Sequence, residues 1–320
     1  MSTKERLLSI LEENKGEYLS GEEIASRLEL SRAAVWKGIQ ALRREGHQIS
    51  AVTNKGYALN LDSDVLSKQG ILTWLKEKNG WVEVRQEMVS TNEWLKQEAL
   101  AKKLPHGSLA AAQYQSGGKG RRGRSFYSPK DSGLYLSVLL HPKKTAQESL
   151  EITAAAAVAV CKAVEQVCGV SLGIKWVNDL YLEEKKVCGI LTEAVTDFET
   201  GDIEFVVVGI GLNLYPPEGG FPKYLEHVAG TILEPGQGAD RNRLAGEIVN
   251  RLLEEVEKPG IPPEYIKRNI VPGKQVKISY GSQERVVIAK KIRRDGQLEI
   301  LNEKGEREVL PCGDVSLFLS

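Results

Sequence analysis

The sequence predicts a multidomain α+β protein, and three observations carry that expectation. Residues 1–59 order as three helices followed by a hairpin. The stretch to residue 270 holds more strands than helices, and its strands adjoin one another through tight turns. The remainder reads as short strands alone. The 320 residues therefore divide into expected domains at 1–62, 66–270 and 271–320, with an acidic linker at Asn60–Asp64.

The first domain begins with a short amphipathic helix on Leu7, Leu8 and Leu11, stopped near Asn14-Lys15-Gly16. Ser20-Gly21-Glu22-Glu23 fits a capping box, with Ser20 as N-cap and Glu23 reaching back, and the helix it opens turns Ile24, Ala25 and Leu28 inward. Ser31 caps a third helix whose inward stripe is Val35, Ile39 and Leu42. Ile49–Thr53 and Tyr57–Leu59 then read as strands around the turn Asn54-Lys55-Gly56, which completes winged-helix order. Charge is segregated along this segment: residues 1–30 carry net −3, whereas residues 31–55 carry net +4. The positive charge falls on the third helix and the wing, the elements that approach phosphates in a helix-turn-helix protein. Ser31, Arg32, Lys37, Arg43, Arg44 and Lys55 are the candidate DNA contacts; the competing reading is a solvated basic face in a protein-binding domain.

In the middle domain, Val65–Lys76, Asn92–Lys102 and Glu148–Val167 read as helices, the last one Ala-rich and packed by Ile152, Ala156, Val160 and Val164. Strands are expected at Ser108–Gln113, Leu134–Leu140, Gly173–Trp176, Asp179–Leu182, Val187–Glu193 and Ile203–Leu214, with turns at Glu183-Glu184 and Glu199-Thr200-Gly201-Asp202. Together they predict a mostly antiparallel sheet with helices on one side. The run Gln115–Arg124 holds Gly117, Gly118, Gly120 and Gly123 among Lys119, Arg121, Arg122 and Arg124. It formally contains G-x-G-x-x-G but leads to a strand and not a helix, so the dinucleotide reading fails. No Gly-Lys-Ser/Thr ends it, so it is not a Walker A loop either. What remains is a Gly-rich cationic loop suited to polyphosphate, expected to be mobile in the free protein; an exposed basic loop is the competing reading. One hairpin on, the turn at Glu183-Glu184 brings Asp179–Tyr181 beside Lys186–Gly189, so a carboxylate, an amide and an ammonium gather at one end; a plain cross-strand ion pair is the alternative.

In the third domain Gln275–Ser279, Arg285–Ile292, Leu298–Leu301, Glu308–Leu310 and Val315–Leu319 read as strands. Turns at Tyr280-Gly281-Ser282, Arg294-Asp295-Gly296 and Glu303-Lys304-Gly305 separate them and suggest a small barrel.

Composition excludes more than it predicts. Lys plus Arg and Asp plus Glu are both 43, so bulk charge points to neither nucleic acid nor membrane. Charges interrupt Met1–Glu13, which rules out a signal-peptide core, and the uncharged run Ile152–Cys161 is too short to span a bilayer; a cytoplasmic protein with no membrane partner is expected. Cys161, Cys168, Cys188 and Cys312 form no CxxC pair and are expected as reduced thiols. The four histidines lack metal-ligand spacing.

Five motifs in order resemble the biotin–protein ligases that double as biotin operon repressors, also called biotin–[acetyl-CoA-carboxylase] ligases. They are Ser90-Thr91-Asn92, Gly118-Lys119-Gly120-Arg121-Arg122-Gly123-Arg124, Lys175-Trp176-Val177-Asn178-Asp179, Lys186-Val187-Cys188-Gly189-Ile190-Leu191-Thr192-Glu193 and Gly209-Ile210-Gly211-Leu212-Asn213. Lys119 stands where that family usually has Arg, and Val177 where it has Pro. The resemblance covers essentially the whole chain. It implies a class II synthetase-like catalytic fold and an SH3-like C-terminal barrel. It implies two reactions: biotin and Mg-ATP give biotinyl-5′-adenylate and pyrophosphate, and a lysine of a biotin carrier domain then takes the biotinyl group. It also implies operator binding by a homodimer with the adenylate as corepressor. By the resemblance Arg121, Lys186 and Asp179 are catalytic. Ser90, Thr91, Asn92, Gln115, Lys119, Gly120, Arg121, Lys186 and Gly189 bind biotin. Arg121, Arg122, Arg124, Phe126, Asn178, Asp179 and Asn213 serve ATP, with Phe126 stacking on adenine and Mg2+ held through the phosphates. The alternatives are a biotin-sensing transcription factor without catalysis and a lipoate–protein ligase.

Overall fold

The computed structural model describes residues 1–320 except 143–148, 197–198, 200–201, 281–282, 312–313 and 318–320. The expected turns through Thr200-Gly201 and Gly281-Ser282, the thiol of Cys312 and the end of the last strand lie outside the described residues. The chain divides into two compact units: Met1–Lys78 with Gly236–Glu247, and Asn79–Pro235 with Ile248–Ser320. Residues 66–78 and 236–247 thus fall with the winged helix, and residues 271–320 with the middle segment.

In the first unit α1 (Thr3–Glu13), α2 (Gly21–Leu28) and α3 (Arg32–Arg44) precede an antiparallel hairpin of β1 (Ile49–Val52) and β2 (Gly56–Leu59). Leu7, Leu11, Ile24, Ile39, Leu42 and Leu59 are fully or almost fully buried in one core, the condition under which three short helices become stable. Ser20 and Ser31 cap α2 and α3 by accepting from Glu23 N and Ala34 N at 3.0 and 3.2 Å. The carboxylate of Glu23, however, pairs with Arg27 at 2.6 Å and does not reach back to the cap; the reciprocal capping box belongs to Ser2 and Glu5 on α1. Gly56 has φ +107°, and a Cβ there would overlap the carbonyl of Leu19. That close approach lets Leu19 and Tyr57 exchange backbone bonds of 2.9 Å and tie the hairpin to the helices.

The linker is fastened within the same unit. A short helix α4 (Lys68–Trp74) follows it. Asp64 binds Arg241 at 3.0 Å, Lys15 binds Asp240 at 2.8 Å, and Asn242 takes the amide of Ser67 at 2.9 Å. These partners open a helix that the sequence expectations did not include, α7 (Arg241–Val256).

The second unit is built on a seven-stranded sheet, β3-β4-β5-β9-β8-β7-β6. Its strands are β3 (Val82–Met88), β4 (Leu109–Gln115), β5 (Gly133–Leu140), β6 (Gly173–Lys175), β7 (Asp179–Leu182), β8 (Lys185–Thr196) and β9 (Ile203–Asn213). Only the β3–β4 pair is parallel, so the sheet is mixed. Helices α5 (Thr91–Lys102) and α6 (Ser149–Cys168) lie on opposite faces, which corrects the expectation of helices on one side. Glu193 of β8 reaches Asn92 and Lys96 of α5, whereas its neighbour Thr192 bonds Thr153 of α6 at 2.8 Å; adjacent residues of a strand point to opposite faces. After α8 (Pro263–Lys267), β10 (Gln275–Tyr280), β11 (Gln283–Ile292), β12 (Leu298–Leu301), β13 (Arg307–Leu310) and β14 (Asp314–Leu317) form an antiparallel sheet in the order β13-β12-β11-β10-β14. Cys161, Cys168 and Cys188 are free thiols; burial pushes the Cys161 thiol up to about 12 and Cys188 upward as well. Among the described residues no helix is long and apolar enough to cross a membrane.

Candidate functional site

Most of the predicted site converges on the α5 face of the large sheet. A solvent-open cleft of about 750 Å³ is lined there by residues of the α5 N-terminus, the Gly-Arg hairpin, β7, β8 and β9. Its floor is a glycine pair, Gly189 opposite Gly211. The Phe126 ring rests on that pair, and a Cβ at Gly211 would overlap it. Glycine at both positions is therefore what admits a flat group onto the strands.

A β-bulge sets the chemistry on this floor. Lys186 and Gly189 are three residues apart, and plain alternation would send them to opposite faces. The β7–β8 register pairs Asp179 with Gly189 and Leu180 with Cys188, then shifts so that Tyr181 faces Lys186. The residue passed over, Val187, returns Lys186 to the cleft face. Its ammonium lies 3.4 Å from where a Gly189 Cβ would stand and binds Asp179 at 2.7 Å. The backbone of Lys186 is held too, donating to Val228 O at 2.8 Å and accepting from Gly230 N at 2.9 Å.

The Gly-Arg segment is a narrow hairpin. Gln115 bridges to Ser128 and Lys119 to Ser125, and a 3-10 turn, Arg121–Gly123, closes the tip with Arg122 at φ +54°. Arg121 donates to Asn178 Oδ1 at 3.1 Å, and Asn178 donates in turn to Ile190 O at 2.7 Å. A cation, an amide and the strand backbone are so linked across the cleft. Lys119, Arg121 and Arg124 line the cleft, whereas Arg122 and Asn213 stand outside the lining, Asn213 donating to Gly230 O at 3.1 Å.

The other end of the cleft is polar and densely bonded. Ser90 caps α5, accepting from Glu93 N at 3.5 Å. The Gln115 carbonyl accepts from Thr91 N and Thr91 Oγ1 at 2.9 and 3.1 Å, and its amide donates to Ser128 at 2.9 Å. Ser137 Oγ sits 2.7 Å from Thr91 Oγ1 and 2.6 Å from Asn92 Oδ1. Lys119 pairs with Glu93 at 3.0 Å, and hydrogen bonds from Lys96 and Lys119 hold the Glu93 carboxyl below its ordinary range.

The sequence reading did not include Ser137, Glu93, Lys96 or Ser128. Ser137 alone had a signal, as the one small polar side chain in the otherwise large and apolar or aromatic run Leu134–Leu140. Two further supports come from the C-terminal part: Trp176 Nε1 donates to Gly296 O at 2.9 Å, and buried Tyr265 donates to Val177 O at 2.8 Å. The Trp176–Val177 peptide between them is cis. They clamp the segment that carries Asn178 and Asp179. Among the described residues no group of His, Cys, Asp and Glu could hold a metal ion by itself.

On the first unit, Ser31, Arg32, Lys37, Arg44 and Lys55 are exposed. Arg43 is half-buried and donates twice to Ile49 O, at 2.9 and 2.7 Å, so it fastens the hairpin to α3. The exposed face of α3 also presents Trp36, 54% exposed between Arg32 and Lys37, which the charge-based reading did not single out.

Comparison with known proteins bears on both regions. Residues 85–213 match the family described as Biotin/lipoate A/B protein ligase family, and residues 3–58 the one described as HTH domain. The bifunctional ligase/repressor BirA of Bacillus spizizenii is 35% identical over 248 residues, covering 77% of this chain and 75% of that protein. The Escherichia coli bifunctional ligase/repressor BirA is 32% identical over 314 residues, covering 94% of each. The biotin protein ligase from Aquifex aeolicus in complex with biotin and ATP has a TM-score of 0.63 and 27% identity, over 75% of this chain and 99% of that one.

Proposed function

The chain belongs to the biotin/lipoate A/B protein ligase family, in its bifunctional ligase and repressor branch, and we propose the following account of how its residues carry that activity. The chain is an ATP-dependent biotin–protein ligase and a DNA-binding repressor whose corepressor is biotinyl-5′-AMP. A biotin carboxylate oxygen attacks the α-phosphorus of ATP and pyrophosphate leaves. The amine of a carrier-domain lysine then attacks the acyl carbon, AMP leaves, an amide forms and the amine gives up a proton.

The observation that carries this reading is the bulge-placed ammonium of Lys186 over the Gly189–Gly211 floor, with Arg121 facing it through Asn178. Two anions must meet in the first step, and fixed cations directed at the developing charge lower that barrier. Lys186 meets the carboxylate, and Arg121 and Arg124 meet the phosphates. Asp179 holds Lys186, and Asn178 holds Arg121. Ser90, Thr91 and Gln115 serve the polar end of biotin, and Phe126 faces adenine. Charge neutralisation by Mg2+ would come in with the ATP phosphates, beside the cations of Arg121 and Arg124.

On the DNA side, Lys37, Arg44 and Lys55 meet phosphates, and Trp36 enters the major groove. One recognition helix offers little specificity, so the repressor acts as a homodimer on two half-sites in the cytoplasm. The deciding experiment combines the full chain, biotin, ATP and a carrier domain, and weighs the carrier. One added biotinyl group is expected. No pyrophosphate and no mass gain would remove the ligase reading, and a lipoyl gain in a competition with lipoate would move the substrate to the other branch of the family.

A further inference from the structure

Glu193 ends the Lys186–Glu193 motif, yet the reaction above gives it no task. Its carboxylate accepts from Asn92 Nδ2 at 2.8 Å and from Lys96 at 3.2 Å. Lys96 also donates to Glu93 at 2.9 Å, and Glu93 binds Lys119 of the Gly-Arg hairpin at 3.0 Å. An unbroken polar chain therefore runs from the end of β8, along the first turns of α5, to the hairpin that walls the cleft.

Each link has a direction. A carboxylate only accepts, so Glu193 forces Asn92 to present its amide hydrogens, one to Glu193 and the other to Leu191 O at 3.3 Å. The Asn92 oxygen must then turn the other way, to Ser137 at 2.6 Å and onto Gly209, where a Cβ would overlap it. Asn92 is 3% exposed and both its hydrogens are spent, so it supports the polar end of the cleft and offers the ligand no amide donor. Lys96 is a cation shared by two carboxylates. Removing either carboxylate leaves it wholly to the other and changes the hold on the next link.

We propose that Glu193 and Glu93 are positioning residues of the ligation site, Glu193 fixing the Asn92 amide beneath the biotin subsite and Glu93 latching the Gly-Arg hairpin through Lys119. This rests on the ligase reading above. The two halves separate kinetically. Orientation of Asn92 acts on bound biotin in ground and transition states alike, so it moves KM. The latch governs how long the closed hairpin retains the adenylate, so it moves the off-rate.

The test uses the full chain with biotin and ATP, reading pyrophosphate release and the loss of enzyme-bound adenylate in a chase. Glu193→Gln keeps the shape but can present its amide hydrogens toward Asn92; it is expected to raise KM for biotin about tenfold with kcat within about twofold. Glu93→Gln is expected to hasten adenylate loss by about fivefold to tenfold with KM for biotin little changed. Glu93→Gln combined with Lys119→Gln should lose adenylate no faster than Lys119→Gln alone, because the latch is already open. An unchanged KM in Glu193→Gln, or a fall in kcat that tracks a fall in melting temperature, overturns the first half. Additive off-rates in the double variant overturn the second. A parent chain that releases no pyrophosphate overturns the ligase reading itself, which is a different outcome from a working parent with indifferent variants.

Discussion

The two regions that carry function use positive charge in opposite ways. On α3 and the wing, Arg32, Lys37, Arg44 and Lys55 stand exposed, and Arg32 comes only within 3.9 Å of the Glu22 carboxylate. In the cleft, Lys186, Arg121 and Lys119 are each held by a named partner at 2.7 to 3.1 Å. Exposed cations suit a polyanion whose phosphates recur along its length, because affinity comes from counterion release and tolerates imprecise geometry. Held cations suit a single transition state, where a donor must already be in place when charge develops. The lesson is that positive charge alone does not distinguish these sites; the partners of each cation do.

The strongest way to break this comparison is Lys186→Ala. If the held ammonium acts at the reacting carboxylate, adenylation should fall by about 100-fold or more, worth roughly 3–4 kcal/mol of barrier, and biotin affinity should fall with it. DNA binding without ligand should be untouched, because α3 is in the other unit. Stopped-flow pyrophosphate release and a DNA titration check both halves. Normal biotin affinity with lost turnover would place Lys186 at phosphate alone. Arg121→Ala should be milder, retaining the fold while adenylate escapes about tenfold faster into a filter-binding assay.

A smaller effect sharpens the other side. Trp36 and Lys37 are neighbours on α3, yet their contributions should separate by salt. Lys37→Ala should weaken all DNA about equally and lower the salt slope by about one. Trp36→Ala should cost about tenfold on operator alone, by losing an apolar contact to base edges, with the salt slope preserved. Equal losses on operator and random DNA in both variants would make Trp36 a packing residue and not a reader.

How much of this was legible follows from range. The winged helix was readable because its signals are local: Ser20 and Ser31 caps, the Val35–Ile39–Leu42 stripe and Asn54-Lys55-Gly56 at the turn. The cleft residues were readable as motifs, but their geometry was not. The bulge at Val187 that brings Lys186 over Gly189 has no local signature, since it depends on the register with β7. The Glu93–Lys96–Glu193 chain joins α5 to a strand about one hundred residues later, and only the sheet order makes them neighbours. Strand β3 carries Glu83, Arg85 and Glu87 among its apolar residues, a pattern ordinary for an edge and weak as a strand signal. Helix α7 is different: Asp240 caps it by accepting from Arg243 N at 2.9 Å, and Leu244, Ile248 and Leu252 repeat at helical spacing, so its signals are local although the sequence expectations above did not include it.

The remaining expected effect concerns a carboxylate in the DNA-binding unit that, unlike the exposed cations, is buried. Glu12 on α1 is 7% exposed, and burial, reinforced by Asp240, pushes its carboxyl up to about 7 against the pull of Lys15 and a hydrogen bond with Ser67. The folded unit thus binds a proton that the unfolded chain has already released above the usual carboxylate range. Stability from this group should therefore fall as pH rises from about 4.5 to about 7 and stay level above that. The size is of order 1–2 kcal/mol, since a pKa unit is worth about 1.4 and local relaxation absorbs part of the shift. His47 acts with the opposite sign: burial lowers its pKa, so its contribution is lost as pH falls below the usual histidine range. The parent profile mixes the two, and the difference between the parent and Glu12→Gln isolates one. Hydrogen exchange at the buried α1 residues Leu7, Leu8 and Leu11 reports on this unit without requiring the whole chain to unfold in one step. The variant should be more protected than the parent at pH 8 and equal to it near pH 4.5. A constant difference across that window would mean that Glu12 keeps its charge when folded and that the Lys15–Asp240 pair accommodates it.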